Sequence, residues 1–378
     1  MDIIYLDNSA TTKIKTEVLN EMMPYLTTEY GNASSLYSVG RKAKKAIEKA
    51  RKQVAELINC DMHEIYFTGS GSESDNTALK GFAYANKEKG NHIITSKIEH
   101  HAILESCETL ERQGFEVSYI GVDENGVIDI EELQNAIRPN TILISVMTAN
   151  NEIGTIQPIE QIAKIAHDKN IIFHTDAVQA IGNMPIDVQK MDIDMLSLSG
   201  HKINAPKGIG ALYIKKEVQV EKYINGGHQE RNQRAGTENV AGIVGLGKAC
   251  EIANKNMTTH IRYLSKLRDY YLMKLQKELP GKFRVNGCMD NRLPGNANVS
   301  FKGIDASELI FKLDEKGICV SSGSACSSGS VTPSHVLTAI NVPDSFLYSA
   351  IRTTFSDSNT FEQIDYLVKC LKNFIKIS

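Results

Sequence analysis

The chain has 378 residues, of which 42% are hydrophobic and 23% charged, with a formal net charge of -3. This length suits one large domain with a smaller companion. The charge balance gives no sign of a basic nucleic-acid footprint or a membrane-surface patch, and no apolar run is long enough to span a bilayer.

Residues 1–7 lack a basic stretch and a cleavable apolar segment, so they read as a short strand and not as a secretory signal. Residues 41–58, rich in Lys, Ala and Glu, predict a helix, followed by a strand at 64–68 and a helix at 72–86. A strand at 92–95, a helix at 102–113 and a strand at 117–120 come next. A buried strand at 141–147 and a helix at 159–169 lead into strands at 171–175 and 209–214. Such alternation predicts βαβ units and an α/β domain with a mostly parallel sheet covered on both faces. Then the texture changes. Residues 241–278 read as one long helical stretch that ends at Pro280-Gly281, followed by strands at 296–301 and 318–321 and a helix at 361–376. The expected large domain covers residues 13–257. Residues 1–12 and 258–378 form the expected smaller α+β domain.

Seven cysteines (Cys60, Cys107, Cys250, Cys288, Cys319, Cys326 and Cys370) are odd in number and scattered, with no CxxC pair. This argues against a disulfide framework and a self-contained zinc site, and fits a reducing cytosol. Cys250 and Cys370 sit in helical patterns and Cys319 in a strand, so all three are expected to be buried.

The chemistry-bearing segments lie at the ends of these elements. Thr68 to Asn76 is a Gly/Ser-rich turn between a strand and a helix. Its glycines allow close approach of an anion, the helix start offers unpaired N–H groups, and Ser70, Ser72 and Ser74 add hydroxyls. A simple cap by Ser72 is the alternative. Glu99-His100-His101 follows the next strand, where a histidine can stack on an aromatic ring and move protons; a helix start or part of a metal site, with His174 or His201, is the alternative. Asn150 and Asn151 follow the 141–147 strand. An amide there can hydrogen-bond a ring hydroxyl, although an Asx turn suits Asn150.

Two apolar strands then end in polar groups, one running into Asp176 and Gln179, the other into Ser199, His201 and Lys202. Neighbouring strands would deliver these groups to one sheet edge. A lysine that can form a Schiff base, beside an aspartate that can hold a pyridinium nitrogen protonated, is what pyridoxal phosphate requires of a protein. Gln179 could donate to the ring hydroxyl oxygen. Residues 321–332 form a small-residue loop around Cys326, expected to be mobile and to carry a travelling thiol. A linker with an incidental cysteine is the alternative. Arg352, in apolar surroundings, could grip an amino-acid carboxylate through two parallel bonds or serve as a structural ion-pair partner.

Taken together, the sequence resembles the NifS/IscS-like cysteine desulfurases, pyridoxal-phosphate enzymes of the fold-type-I, aspartate-aminotransferase-like superfamily. The resemblance runs nearly end to end, from Tyr5-Leu6-Asp7-Asn8-Ser9-Ala10-Thr11-Thr12 to the last helix. Its most specific marks are His174-Thr175-Asp176-Ala177-Val178-Gln179, Ser199-Gly200-His201-Lys202, Arg234-Ala235-Gly236-Thr237-Glu238-Asn239 and Ser321-Ser322-Gly323-Ser324-Ala325-Cys326. It implies that Lys202 carries the Schiff base and moves protons, that Asp176 and Gln179 tune the ring and that His100 stacks on it. Gly71, Ser72, Ser199 and His201 would hold the phosphate, and Thr237 would reach the phosphate of a partner subunit in a homodimer with shared sites. Asn151 and Arg352 would hold L-cysteine. Cys326 would take its sulfur as a persulfide and leave L-alanine. The Cys326 loop looks like the long-loop branch, whose persulfide goes to many acceptors, with an iron–sulfur scaffold the commonest role.

The sequence departs from the family pattern at Gly71-Ser72, where Ala-Thr or Gly-Thr is common, at Ala205, where glycine is usual, and at 353–359, which lacks the usual glycine and arginine. A selenocysteine lyase, an aminotransferase and a weakly active scaffold homologue are the alternative readings. The expected location is the cytoplasm, with no membrane or nucleic-acid partner.

Overall fold

The computed structural model describes residues 3–322 and 333–377. The elements run in the order β1 (Ile4–Tyr5), α1 (Thr16–Thr27), α2 (Ser38–Ile58), β2 (Ile65–Thr68), α3 (Gly71–Asn76), α4 (Phe82–Ala85), β3 (His92–Ser96), α5 (His101–Glu111), β4 (Glu116–Ile120), α6 (Ile130–Ala136), β5 (Thr141–Ser145), α7 (Ile159–His167), β6 (Ile172–Asp176), β7 (Met195–Ser199) and β8 (Gly210–Ile214). After them come α8 (Val240–Glu278), β9 (Phe283–Val285), β10 (Asn296–Phe301), α9 (Ala306–Asp314), β11 (Ile318–Cys319), α10 (His335–Ala339), α11 (Asp344–Leu347), β12 (Ala350–Thr354) and α12 (Phe361–Ile377).

The central sheet has seven strands in the order β2-β8-β7-β6-β5-β3-β4. The pairs among β3, β4, β5, β6 and β7 are parallel, and β8 runs antiparallel to both of its neighbours. Every residue of β3, β5, β7 and β8 is buried, as a sheet covered on both faces requires. The covering helices turn one apolar stripe inward, as α7 does with Ile159, Ile162, Ala163 and Ala166.

A second sheet, β12-β10-β9, is antiparallel, and β1 pairs in parallel with β11. The 39-residue α8 serves both layers. Its Leu246, Ala249 and Cys250 belong to the core around the large sheet, whereas Leu264, Leu267, Tyr271 and Leu275 pack with Val299, Phe301 and Ile364. No helix among the described residues is long and apolar enough to cross a membrane.

The helix expected over 72–86 begins at Gly71 and contains a π turn at Thr77–Gly81. There the chain at Glu221 lies against the helix, its N–H donating to Gly81 O at 2.9 Å; a Cβ on Gly81 would stand 2.4 Å from Glu221 O. The short α6 was not expected, although Asp129 caps it through Glu132 N. Arg352 lies inside a strand, β12. Cys250 and Cys370 are buried as expected, but Cys319 is only half-buried; β11 has two residues and, among the described residues, a single strand partner.

Candidate active site

Parallel strands of one sheet end on the same side, so β6 and β7 bring Asp176 and Ser199, with His201 and Lys202 just beyond, to one rim. The rim opens onto a cavity of about 260 Å³. Gly71, Ser72, His100, Asn151, Asp176, Gln179, Ser199, His201, Lys202 and Arg352 all line it. Thr237 does not; it lines a separate cavity with Gly69, Arg234 and Glu238. Cys326 lies outside the described residues.

The Lys202 amine donates to the main-chain carbonyls of Ser9 and Ala10, the latter at 2.9 Å. Asp176 is 6% exposed, and its Oδ1 accepts a hydrogen bond from Val178 N at 2.8 Å. Burial pushes it up to about 6, against the Val178 bond and the charge of Lys202. Gln179 Nε2 donates to Ser9 O at 3.0 Å, so one of its two N–H groups is already engaged.

His100 caps α5, its Nδ1 accepting from Ala102 N at 3.1 Å. That bond uses the lone pair of Nδ1, so the proton of the neutral ring sits on Nε2. Burial, then the positive charge of Lys202, lowers His100 to about 4. His201 is lowered to about 4 by the same two causes in the same order, and its Nδ1 lies 3.1 Å from Thr11 Oγ1. Both rings are therefore neutral at pH 7.

At the anion end, Ser70 and not Ser72 caps α3, accepting from Glu73 N at 3.1 Å. Ser72 is left on the cavity wall. Ser74 is no anion donor: it is fully buried on the inner face of α3 and donates to Ala211 O at 3.0 Å. A Cβ on Gly71 would meet Val178 Cγ2 at 2.7 Å and Ser199 Cβ at 3.2 Å, so the turn packs directly on the strand ends. Glu73 pins this turn through Gly69 N at 2.7 Å and Arg234 Nε at 2.9 Å.

Arg352 is 2% exposed. Its Nη1 donates to Asn151 O at 3.0 Å and its Nη2 to Asp7 Oδ1 at 2.7 Å. It therefore has an ion-pair partner and still faces the cavity. Asn150 forms the expected Asx turn, its Oδ1 accepting from Glu152 N and Ile153 N, which leaves Asn151 on the wall.

Sequence reasoning missed several groups of this site. The Ser9 and Ala10 carbonyls are backbone atoms and carry no side-chain signal. Asp75, Glu99 and Glu152 are all 1% exposed, and Asp75 and Glu152 line the cavity. Burial raises Glu99 to about 8 and raises Glu152 as well. His335, which follows the cysteine loop, packs against His101 with ring centroids 5.0 Å apart. Its Nε2 faces Glu99 O at 3.0 Å.

The donor set of the cavity fits pyridoxal phosphate: an amine, a buried carboxylate, a neutral imidazole and a glycine-bearing helix start lie around one space. The departures from the family pattern are also accommodated. The left-handed position after Lys202 falls on Asn204, at φ 66°, not on Ala205, so no glycine is required there. In the 353–359 segment, Thr354 Oγ1 accepts from Ser9 N at 2.9 Å. Asp357 binds Lys15 at 2.9 Å and also pairs with His260.

Comparison with known proteins agrees with this geometry. Residues 4–367 match the aminotransferase class-V family. The cysteine desulfurase IscS of Clostridium botulinum (strain Hall) is 52% identical over 375 residues, covering 99% of this chain and 94% of that protein. A solved NifS-like protein superposes with a TM-score of 0.94 at 38% identity, covering all of both chains. The structure of SspA in complex with cysteine superposes with a TM-score of 0.83 at 38% identity, covering 94% of this chain and 100% of that one. The fold and site define a class-V, pyridoxal-phosphate-dependent enzyme. Within that class the chain belongs to the IscS-like cysteine desulfurases.

Proposed function

We infer that this protein removes the sulfur of L-cysteine, leaving L-alanine, and passes it on as a persulfide carried by Cys326. The observation that carries the reading is the convergence of Lys202, Asp176, His100 and Arg352 on one cavity. When bound, pyridoxal phosphate supplies a carbonyl for Schiff-base formation and an electron sink for the bonds at the amino-acid α-carbon.

The roles of the protein's own groups follow from their chemistry. Asp176 would keep the ring nitrogen protonated, and the neutral face of His100 would stack on the ring. Gly71, Ser72, Ser199 and His201 would surround the phosphate. Lys202, released from the Ser9 and Ala10 carbonyls, would supply the amine and then carry protons at the α-carbon. Arg352 and Asn151 would hold the substrate carboxylate and keep its sulfur pointed away from the ring. The Cys326 thiolate would attack the substrate sulfur, forming an S–S bond as the C–S bond breaks. The electron pair of that C–S bond remains on the three-carbon fragment, which takes up protons and leaves as alanine.

The same reading includes a homodimer in which Thr237 reaches the phosphate of the partner subunit. Its place in a separate surface cavity, beside the Arg234 that pins the phosphate turn, is consistent with this. A cytoplasmic location and delivery of sulfur to an iron–sulfur scaffold, to other sulfur-containing cofactors or to tRNA thiolation complete the reading.

The test is single-turnover release of alanine and sulfide from L-cysteine, with and without dithiothreitol, for wild type and Cys326→Ser. Stoichiometric alanine and a persulfide mapped to Cys326 in the wild type, with little alanine from the variant, support the reading. Equal alanine from both removes Cys326 as the nucleophile.

A further inference from the structure

A second carboxylate beside Asp176 has no part in the reaction as read above. Asp75, on α3, is 1% exposed and lines the same cavity as Asp176. Its Oδ1 has no hydrogen-bond partner among the described residues. Its one basic neighbour within 4 Å among those residues is His174, whose Nε2 stands 3.9 Å from that oxygen, too far for a hydrogen bond. His174 is itself fully buried, its Nδ1 2.9 Å from Ser145 Oγ and its Nε2 3.0 Å from Ser197 Oγ. Burial lowers it to about 3, so it is neutral and brings no positive charge to Asp75.

Asp176 is placed differently. It accepts the Val178 N–H and feels the charge of Lys202. Two buried carboxylates lining one cavity cannot both ionise without a large penalty, and hydrogen bonds and cations near one of them decide which keeps the charge. Here the backbone N–H donor and the nearby cation belong to Asp176. Burial, then the charge of Asp176, raises Asp75 well above the ordinary carboxylate range; the Ser197 hydroxyl works the other way, and Glu99 adds a further push upward.

We propose that Asp75 is a positioning residue that stays a neutral carboxylic acid, so that the one negative charge of the pair rests on Asp176 beneath the cofactor's ring nitrogen. The proposal rests on the reading that Asp176 meets that nitrogen. Its consequence is a match of charges: one buried carboxylate faces one pyridinium, and no second anion is left without a counter-charge.

The test is isotope-edited infrared spectroscopy of the holoenzyme carrying [4-13C]aspartate. The wild type is expected to show a protonated-carboxyl C=O stretch that shifts with the aspartate label, which separates it from Glu99. The band is expected to vanish in Asp75→Asn and to survive in Asp176→Asn, so the second variant still decides the matter if the first does not fold. Titration with the cofactor supplies the other readout: Kd for Asp75→Asn rises by less than about threefold, and that for Asp176→Asn by about tenfold or more, one pKa unit of lost interaction being worth a factor of ten. Absence of a labelled band in the wild type, its survival in Asp75→Asn, or a Kd for Asp75→Asn that rises as far as that for Asp176→Asn overturns the proposal. An unchanged Kd for Asp176→Asn, with the infrared result intact, instead overturns the placement of Asp176 beneath the nitrogen.

Discussion

The arginine at the cavity wall offers a prediction in which two neighbouring substitutions pull apart. Arg352 has one guanidinium corner on Asn151 O and another on Asp7 Oδ1. In the proposed reaction a substrate carboxylate would share this fork, which would give it up to two parallel charge-assisted bonds. Arg352→Lys keeps the charge and the pairing with Asp7 but offers a single point of contact. Loss of one charge-assisted bond, worth about 1.5–3 kcal/mol, should raise KM for L-cysteine by roughly 10- to 150-fold. The visible absorption of the bound cofactor should stay in place. Asp7→Asn does the reverse. It removes the anion that competes with substrate for Nη2, so KM should not rise. It also removes the carboxylate that pairs with a guanidinium that is 2% exposed. Breaking a fully buried pair costs about 3–5 kcal/mol, and the 15% exposure of the Asp7 side chain reduces this, so the melting temperature should drop by several degrees. Steady-state alanine formation and thermal melts of the two variants decide the issue. An unchanged KM in Arg352→Lys, or an equal rise in KM in Asp7→Asn, would show that the arginine acts only through its ion pair.

The remaining predictions concern the buried charges and the lysine. Glu99 titrates near 8 in the folded chain and near 4.5 when unfolded, so the native state holds a proton that the unfolded chain gives up. Stability should therefore fall as pH rises from about 4.5 towards 8, and Glu99→Gln should lose less in melting temperature between about pH 6 and 8 than the wild type; parallel slopes would refute this. Arg51 and Glu230, at 3% and 4% side-chain exposure, pair at 2.7 Å, so Arg51→Met should lower stability by about 3–5 kcal/mol in urea denaturation. The double variant with Glu230→Gln should recover part of the loss, and a neutral effect of Arg51→Met would contradict the pairing. Lys202→Ala should abolish the cofactor adduct that borohydride fixes in the wild type, read by intact mass; an adduct on another lysine would move the Schiff base elsewhere.

How much of the site could be read from the sequence follows from how local each signal is. Asp176 and Lys202 were legible because each follows an apolar strand within a few residues, and strand ends are where α/β sheets present chemistry. Asp75 and Glu99 are equally local yet were not seen, since an acid near a helix start reads as a solvated cap until its burial is known. The Asp7–Arg352 pair spans 345 positions and joins two segments that have no pattern in common. In the cap of α3 the choice between Ser70 and Ser72 turned on two residues of register, which periodicity does not set to that accuracy. Ala205 looked like a defect because the usual glycine was missing; the backbone moves the left-handed residue to Asn204, a residue type that tolerates it.

The first dozen residues are the least conspicuous part of the sequence, and they join the halves of the site. β1 pairs with β11, Leu6 O accepts from Thr354 N at 2.7 Å, and Asn359 Nδ2 donates to Tyr5 O at 3.1 Å. The segment that follows supplies Asp7 to Arg352 and the Ser9 carbonyl to both Lys202 and Gln179. Ser9 is in turn fixed by Thr354, in the stretch that departs from the family pattern. Lys202 is thus oriented by a backbone that the small sheet holds, so the large sheet alone cannot set its amine. Contacts between chain ends must overcome the closure entropy of a long loop. The rim of β6 and β7 can form while the chain ends are still apart, and the cavity gains its Lys202 acceptors and its arginine only when they meet.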